Sequence, residues 1–232
     1  MTFNELAIQA VPFNETLNPL LWENDKLNTE IRYRLMLIAQ NFANFLNVKK
    51  LNLTDITISG SNASFGYTQY SDIDLHLVVK MDSEMADFYT AKKNNYNFTH
   101  DIKIKSIPVE LYVQDKDQPH ASAGIYSILN DKWLVKPKHS APVVSEAEVN
   151  SKARNYAGRI NKALKSDNLD DASQTMEDIR RLRKSGLAKT GEYSVENLAF
   201  KLLRARGKID KLANHINKLE SKRLSFGEKY EN

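Results

Sequence analysis

Two acidic residues inside an apolar strand are the feature of this sequence that most constrains its fold. They lie in residues 58–79, ISGSNASFGYTQYSDIDLHLVV. On a strand, successive side chains point to opposite faces, so Asp72 and Asp74 share one face while Ile73 and Leu75 take the other. Two carboxylates held this close repel each other unless a cation lies between them. The pattern therefore predicts a strand that carries a divalent-cation site, with Mg²⁺ as the simplest occupant.

A Gly-Ser pair precedes these acids. Residues 54–59 (TDITIS) alternate between polar and apolar and predict a half-buried strand. Gly60 then permits a backbone conformation or a close ligand approach that a Cβ would hinder. The Ser61 hydroxyl and nearby backbone N–H groups, where the chain enters a short helix, suit an anion such as a triphosphate. The alternative is an ordinary β-turn, with Asp72 and Asp74 solvated at a sheet edge.

The order of these motifs resembles a known signature. A strand, then Gly60-Ser61, then residues 71–75 (SDIDL), is similar to the signature of the DNA polymerase β-type nucleotidyltransferase superfamily, especially its small bacterial members and its relatives that make oligonucleotides. The resemblance implies a mixed-sheet, palm-like domain. It implies that Gly60, Ser61 and Ser71 bind the nucleotide, and that Asp72 and Asp74 bind Mg²⁺ or Mn²⁺.

One departure from the family pattern is visible. Many small members carry an arginine and a glycine shortly after Gly-Ser, whereas residues 63–66 (ASFG) have the glycine without the arginine. This departure concerns the nearest subfamily and leaves the predicted metal site unchanged.

A third carboxylate is expected downstream. Residues 102–114 (IKIKSIPVELYVQ) read as two consecutive strands, and Pro108 suits the first residue of the second strand. Glu110 then lies on the face opposite its apolar neighbours, where ionisation is costly unless a metal ion compensates the charge. Asp101 and Asp115 are alternatives, although their places at strand ends are typical of turn residues. The resemblance implies a third acid at a similar interval, where aspartate is more usual.

Two interpretations are open for the other polar and aromatic residues near the acids. His76 shares the face of Asp74, so it either touches substrate or is an ordinary hydrogen-bonded sheet histidine. Tyr67, Tyr70 and Tyr112 are candidates for stacking on a base, although tyrosines are common in sheets by propensity alone.

Composition narrows the class of protein. The chain has 232 residues, with 41% hydrophobic and 27% charged, as expected for a globular protein. The absence of cysteine excludes thiol nucleophiles, disulfides and zinc-thiolate sites. No apolar run approaches the roughly 20 residues that span a bilayer, and the start MTFNELAIQAVPFNE lacks the features of a signal peptide. A cytoplasmic protein without membrane contact is expected.

The charge distribution and the predicted order of elements both divide the chain in two. Residues 1–150 carry a net charge of −4 and residues 151–232 a net charge of +8. We predict a catalytic domain at 1–140 and a helical domain at 141–232, joined by a linker at 137–144. The basic half favours RNA or another nucleotide as acceptor over a cationic drug.

The predicted fold class is α+β. A mixed sheet of about five strands, including a hairpin at 124–136, would be covered by helices at 25–47 and 81–94. Helices at 145–165, 169–185, 194–206 and 208–224, separated at Gly186, Gly191 and Gly207, would form the C-terminal bundle. Basic clusters at 180–184 and 201–211 could hold phosphate, but cations are also favoured at helix C-termini.

The resulting hypothesis is an Mg²⁺-dependent nucleotidyltransferase that moves a nucleoside monophosphate from an NTP, with ATP expected, to an acceptor hydroxyl. Asp72, Asp74 and Glu110 would be the catalytic and metal-binding residues. The alternatives are a protein-modifying, AMP-transferring enzyme of the antitoxin kind and a non-catalytic nucleotide-binding module. The presence of all three acids argues against the module. Oligomeric state does not follow from the sequence.

Overall fold

The computed structural model describes residues 13–119, 122–139 and 144–225. These residues form two compact units, at 13–139 and 144–225. Each unit has its own cluster of buried apolar side chains. The predicted domain boundary between residues 140 and 141 lies outside the described residues, as does part of the predicted linker.

A mixed six-stranded sheet forms the centre of the first unit. The strands are β3 (Leu53–Ser59), β4 (Ile73–Val79), β5 (Lys103–Ile104), β6 (Ile107–Asp115), β7 (Ile125–Ser127) and β8 (Lys132–Val135). Their order in the sheet is β5-β6-β4-β3-β7-β8, in which β4 and β6 are parallel and the other neighbours are antiparallel. A separate ribbon pairs β1 (Trp22–Glu23) with β2 (Lys26–Leu27). The α+β class agrees with the prediction, and the sheet has one strand more than expected.

Two helices cover the apolar face of the sheet. They are α1 (Thr29–Leu46) and α2 (Ala86–Thr99). Helix α1 begins later than predicted because the Asn28 side chain accepts hydrogen bonds from the first-turn N–H groups and so caps the helix there. A 3₁₀ turn at Ser83–Met85 comes before α2. Leu75 and Leu111 of the sheet are fully buried in the resulting core, which leaves the opposite face of β4 and β6 for the acids.

Four helices make up the second unit. They are α3 (Glu146–Ala163), α4 (Leu169–Thr190), α5 (Val195–Ala205) and α6 (Lys208–Leu224). Ser145, Asn168 and Ser194 cap the first three of these helices with their side chains. Within the described part of the chain, no helix combines the length and the apolar character that crossing a bilayer requires.

The predicted break at Gly186 is wrong. Helix α4 continues through this residue to Thr190 and ends at Gly191, whose φ is 74°. Gly186 is buried, and a Cβ there would lie 2.8 Å from Ser194 Oγ and 2.9 Å from Glu196 Cβ. This glycine therefore permits close helix packing, a role that the sequence pattern does not distinguish from a helix end.

Candidate active site

The Gly-Ser turn joins β3 to a 3₁₀ turn at Ser61–Ala63. Gly60 has a φ of 75°, and a Cβ at this position would lie 1.9 Å from Asp74 Oδ2. The backbone conformation favours glycine here, and a side chain at this position would also displace the Asp74 carboxylate. Of the two alternatives predicted for Gly60, the special backbone conformation is present, and the close ligand approach stays a prediction because the neighbour of the turn in the structure is the Asp74 carboxylate.

Asn62 fixes this turn to the acidic strand. Its side-chain Nδ2 donates a hydrogen bond to the Asp72 carbonyl at 2.8 Å, and its Oδ1 accepts one from Asn18 Nδ2 at 2.8 Å. The Asn62 carbonyl accepts a further bond from Trp22 Nε1 at 2.7 Å. A fully buried amide with both ends bonded holds its neighbours in one geometry. No local sequence pattern points to Asn62, since two of its partners lie 40 or more residues earlier.

The three residues predicted to bind the nucleotide lie together. Ser61 Oγ donates to Ser71 Oγ at 2.9 Å, and Ser71 Oγ also accepts from the Thr68 N–H at 2.9 Å. The Gly60 N–H donates to Ser122 Oγ at 2.9 Å, so this donor already has a partner. A triphosphate bound at the turn would have to replace some of these internal hydrogen bonds with bonds to its own oxygens. The roles of Gly60, Ser61 and Ser71 in nucleotide binding stay predictions.

The three predicted acidic ligands converge. Asp74 of β4 is the direct neighbour of Glu110 across the parallel pairing with β6, and Asp72 precedes β4 by one residue. One carboxylate oxygen from each acid lies within 4.8 Å of the others. The three side chains are partly buried. A single cation could therefore contact all three acids, although their role as metal ligands stays a prediction.

The alternative acids, Asp101 and Asp115, do not join this group. Asp101 is exposed and pairs with Lys103 at 2.6 Å. Asp115 ends β6, and its Oδ1 accepts a hydrogen bond from the Asp117 N–H at 3.1 Å. Both behave as turn residues at strand ends.

Tyr112 and His76 lie beside the acids on the same face of the sheet. Their rings stack, with centroids 4.9 Å apart and an angle of 17° between planes. His76 Nε2 lies 3.0 Å from Ser59 Oγ, which fits the reading of a hydrogen-bonded sheet histidine. Burial raises the pKa of Tyr112 far above its ordinary value, and the charges of Asp74 and Glu110 raise it further. The phenol therefore stays protonated beside the acids.

Several cations in the basic clusters of the second unit make contacts with other side chains of the same unit. Arg181 pairs with Asp178 at 2.8 Å, and Lys208 Nζ donates to Asn161 Oδ1 at 3.0 Å. The Arg183 guanidinium donates to an amide side chain and lies 4.5 Å from the centroid of the Phe200 ring. These contacts agree with the alternative in which the cations stabilise the helices rather than hold phosphate.

Comparisons with known proteins give little further information. No protein-family model matches the chain, and no curated protein matches it. A solved STING-associated CdnE c-di-GMP synthase from Capnocytophaga granulosa aligns over 95% of this chain and 98% of its own, at 13% identity and a TM-score of 0.26. The Rhodothermus marinus CdnE c-UMP-AMP synthase, solved with Apcpp and Upnpp, aligns over 99% and 100%, at 8% identity and a TM-score of 0.21. Likenesses this weak carry no weight for function, which must come from the residues of the chain.

Proposed function

We propose that this chain is a metal-dependent nucleotidyltransferase, which moves a nucleoside monophosphate from an NTP to an acceptor hydroxyl. One observation carries the proposal. Asp72, Asp74 and Glu110 bring carboxylate oxygens within 4.8 Å of one another, immediately beside the glycine turn at Gly60. Such an arrangement offers a place for a phosphate chain next to a place for divalent cations.

The donor set fits Mg²⁺ or Mn²⁺. All three side chains offer only oxygen, which these hard cations prefer. Without a cation, three adjoining carboxylates would repel one another. Asp72, Asp74 and Glu110 would hold the ions, and bound ions supply charge neutralisation and acidify an acceptor hydroxyl.

The residues of the chain would then bind and orient the reactants. The hydroxyls of Ser61 and Ser71 would donate to phosphate oxygens, and Gly60 keeps the turn free of a side chain. Glu110 would accept the proton of the acceptor hydroxyl. The oxygen of the acceptor hydroxyl would then attack the α-phosphorus while the bond from that phosphorus to the β-phosphate oxygen breaks, and pyrophosphate would leave.

The acceptor class is a second part of the proposal. The net charge of +8 on residues 151–232 favours RNA or another nucleotide, since basic surfaces attract phosphates. A hydroxyl on a partner protein is the main alternative, and binding without transfer is the other.

A transfer assay tests the function and separates these acceptors. Each labelled NTP is incubated with the chain and Mg²⁺ or Mn²⁺, with no acceptor, with total RNA or with cell lysate, and the small molecules, RNA and protein are then separated. We expect metal-dependent label in the RNA or small-molecule fraction, with none from Asp72→Asn and normal transfer from Asp115→Asn. Label found only in protein would show that the acceptor is a protein hydroxyl rather than RNA or a nucleotide. No label in any fraction would overturn the proposed function.

A further inference from the structure

Tyr112 connects Glu110 to the neighbouring strands. Residues 110 and 112 are two apart on β6, so their side chains lie on one face of the sheet. The Tyr112 hydroxyl is hydrogen-bonded to the Glu110 side chain. A phenol can donate only one such bond, and a carboxylate has two oxygens. The bond therefore restrains the orientation of the Glu110 carboxylate.

The Tyr112 ring is itself held in place from several sides. Tyr112 is the direct neighbour of His76 in the pairing of β6 with β4, and the two rings stack. His76 is bonded in turn to Ser59 of β3. Lys93 Nζ of α2 lies 5.0 Å from the centroid of the Tyr112 ring. His76 of β4 and Lys93 of α2 therefore restrain the ring that carries the hydroxyl, and Ser59 of β3 restrains His76.

We propose that Tyr112 is a positioning residue that holds the Glu110 carboxylate towards Asp72 and Asp74, so that the three acids are set for divalent cations. Glutamate has one more rotatable bond than aspartate, so its carboxylate samples more rotamers unless another group restrains it. The Tyr112 hydroxyl supplies that restraint. Groups of this kind around metal ligands commonly tune metal affinity. This inference rests on the proposed metal site.

Mn²⁺ binding to the full chain, measured by calorimetric titration without NTP, tests the inference independently of catalysis. Tyr112→Phe keeps the ring and its stacking but removes the hydroxyl. We expect the Mn²⁺ affinity to fall about 10- to 100-fold. In the transfer assay, kcat should fall while the KM for NTP stays within about twofold. Tyr96→Phe is the matched control, since its hydroxyl donates to an amide oxygen, Asn41 Oδ1, at 2.8 Å, and its Mn²⁺ affinity should be unchanged.

A double-mutant cycle separates positioning from general damage. If Tyr112 acts through Glu110, then Tyr112→Phe should cause no further loss of Mn²⁺ affinity in a Glu110→Gln chain. The same loss in both backgrounds, or an unchanged affinity in Tyr112→Phe alone, would overturn the inference. All titrations are made well below the lowest melting temperature of the set. Should Tyr112→Phe not fold, Tyr112→Leu is judged by the same cycle; because it also loses the ring stacking, only the part of the affinity loss that disappears in the Glu110→Gln chain supports the inference.

The two proposals can fail separately. A wild-type chain that binds Mn²⁺ with the expected Tyr112 dependence, yet transfers no nucleotide, overturns the proposed function and supports the inference. Transfer and Mn²⁺ binding that are both indifferent to Tyr112→Phe overturn the inference alone. A wild-type chain that binds no Mn²⁺ overturns both.

Discussion

At the scale of single residues, main-chain geometry brings the acids close together. Asp74 and Glu110 are neighbours because their strands pair in parallel register, and Asp72 is tied through its carbonyl to Asn62. Removing one charge therefore alters the cation site while leaving the strands in place.

Asp72→Asn and Asp74→Asn should each abolish NTP turnover, because each variant loses a charged ligand and keeps its side-chain volume. The melting temperature without metal should hold or rise, since repulsion among the acids is relieved. Transfer assays and thermal melts of both variants check this, with Asp115→Asn as control. Retained turnover in both variants would contradict the assignment.

Gly60→Ala should be more damaging than the same change at Gly191. Both glycines have a positive φ, 75° and 74°, but only Gly60 has a close neighbour where a Cβ would lie, Asp74 Oδ2 at 1.9 Å. Backbone strain alone costs of order 1–3 kcal/mol, so Gly191→Ala measures that part. We expect a larger loss of unfolding free energy for Gly60→Ala, together with weakened Mn²⁺ binding. Equal losses in urea titrations would show that the contact with Asp74 is unimportant.

At the scale of elements, the edge of β6 is closed by a side chain from α2. Asn97 Nδ2 donates to the Leu111 carbonyl at 2.9 Å, and its Oδ1 accepts from the Leu111 N–H at 3.0 Å. The amide thus replaces a neighbouring strand at a position that β5, which pairs only with Ile107 and Pro108, does not reach. Because Leu111 follows Glu110 directly, this bond pair also steadies the strand that carries the third acid.

Asn97→Ala should leave both Leu111 main-chain groups without these partners and lower the unfolding free energy by about 1–3 kcal/mol. Amide hydrogen exchange should accelerate at Leu111 in particular. Asn94→Ala is the control, because Asn94 is an exposed residue of the same helix. Unchanged exchange at Leu111 would mean that α2 does not protect the edge.

The sequence predicted the helices and strands better than the long-range contacts that hold them together. Side-chain parity along a strand was enough to place Asp72, Asp74 and Glu110 on one face, because a period of two is a local property. The contacts of Asn62 with residues 18 and 22 depend on chain segments far apart in sequence, which no local pattern reports. The predicted helix break at Gly186 was wrong for a related reason, since in a sequence a glycine needed for packing looks the same as one that ends a helix.

At the scale of the whole molecule, the opposite charges of the two halves predict how salt should affect acceptor binding. If the basic half grips RNA, log affinity should fall linearly with log salt, and each lost phosphate contact should reduce the slope by about 1. Replacing Arg204 and Lys211 by Gln tests this, because both side chains are exposed. Lys26→Gln in the acidic half is the control.

RNA titrations over a range of salt concentrations measure these slopes, after melts show that the double variant folds normally. A slope unaffected by the double change, or RNA binding that is undetectable at low salt, would favour the hydroxyl of a partner protein as acceptor.

The parallel register of β4 and β6 also limits which length changes a descendant of this chain could inherit. One residue inserted into β6 before Glu110 would turn its carboxylate into the core and an apolar neighbour out of it. Two residues inserted there would restore parity, with the acid displaced along the strand. The loop residues between β4 and β6 that lie outside α2 and β5 have no such side-chain parity to keep. Insertions and deletions should therefore accumulate in those loops and be purged from the strands on either side.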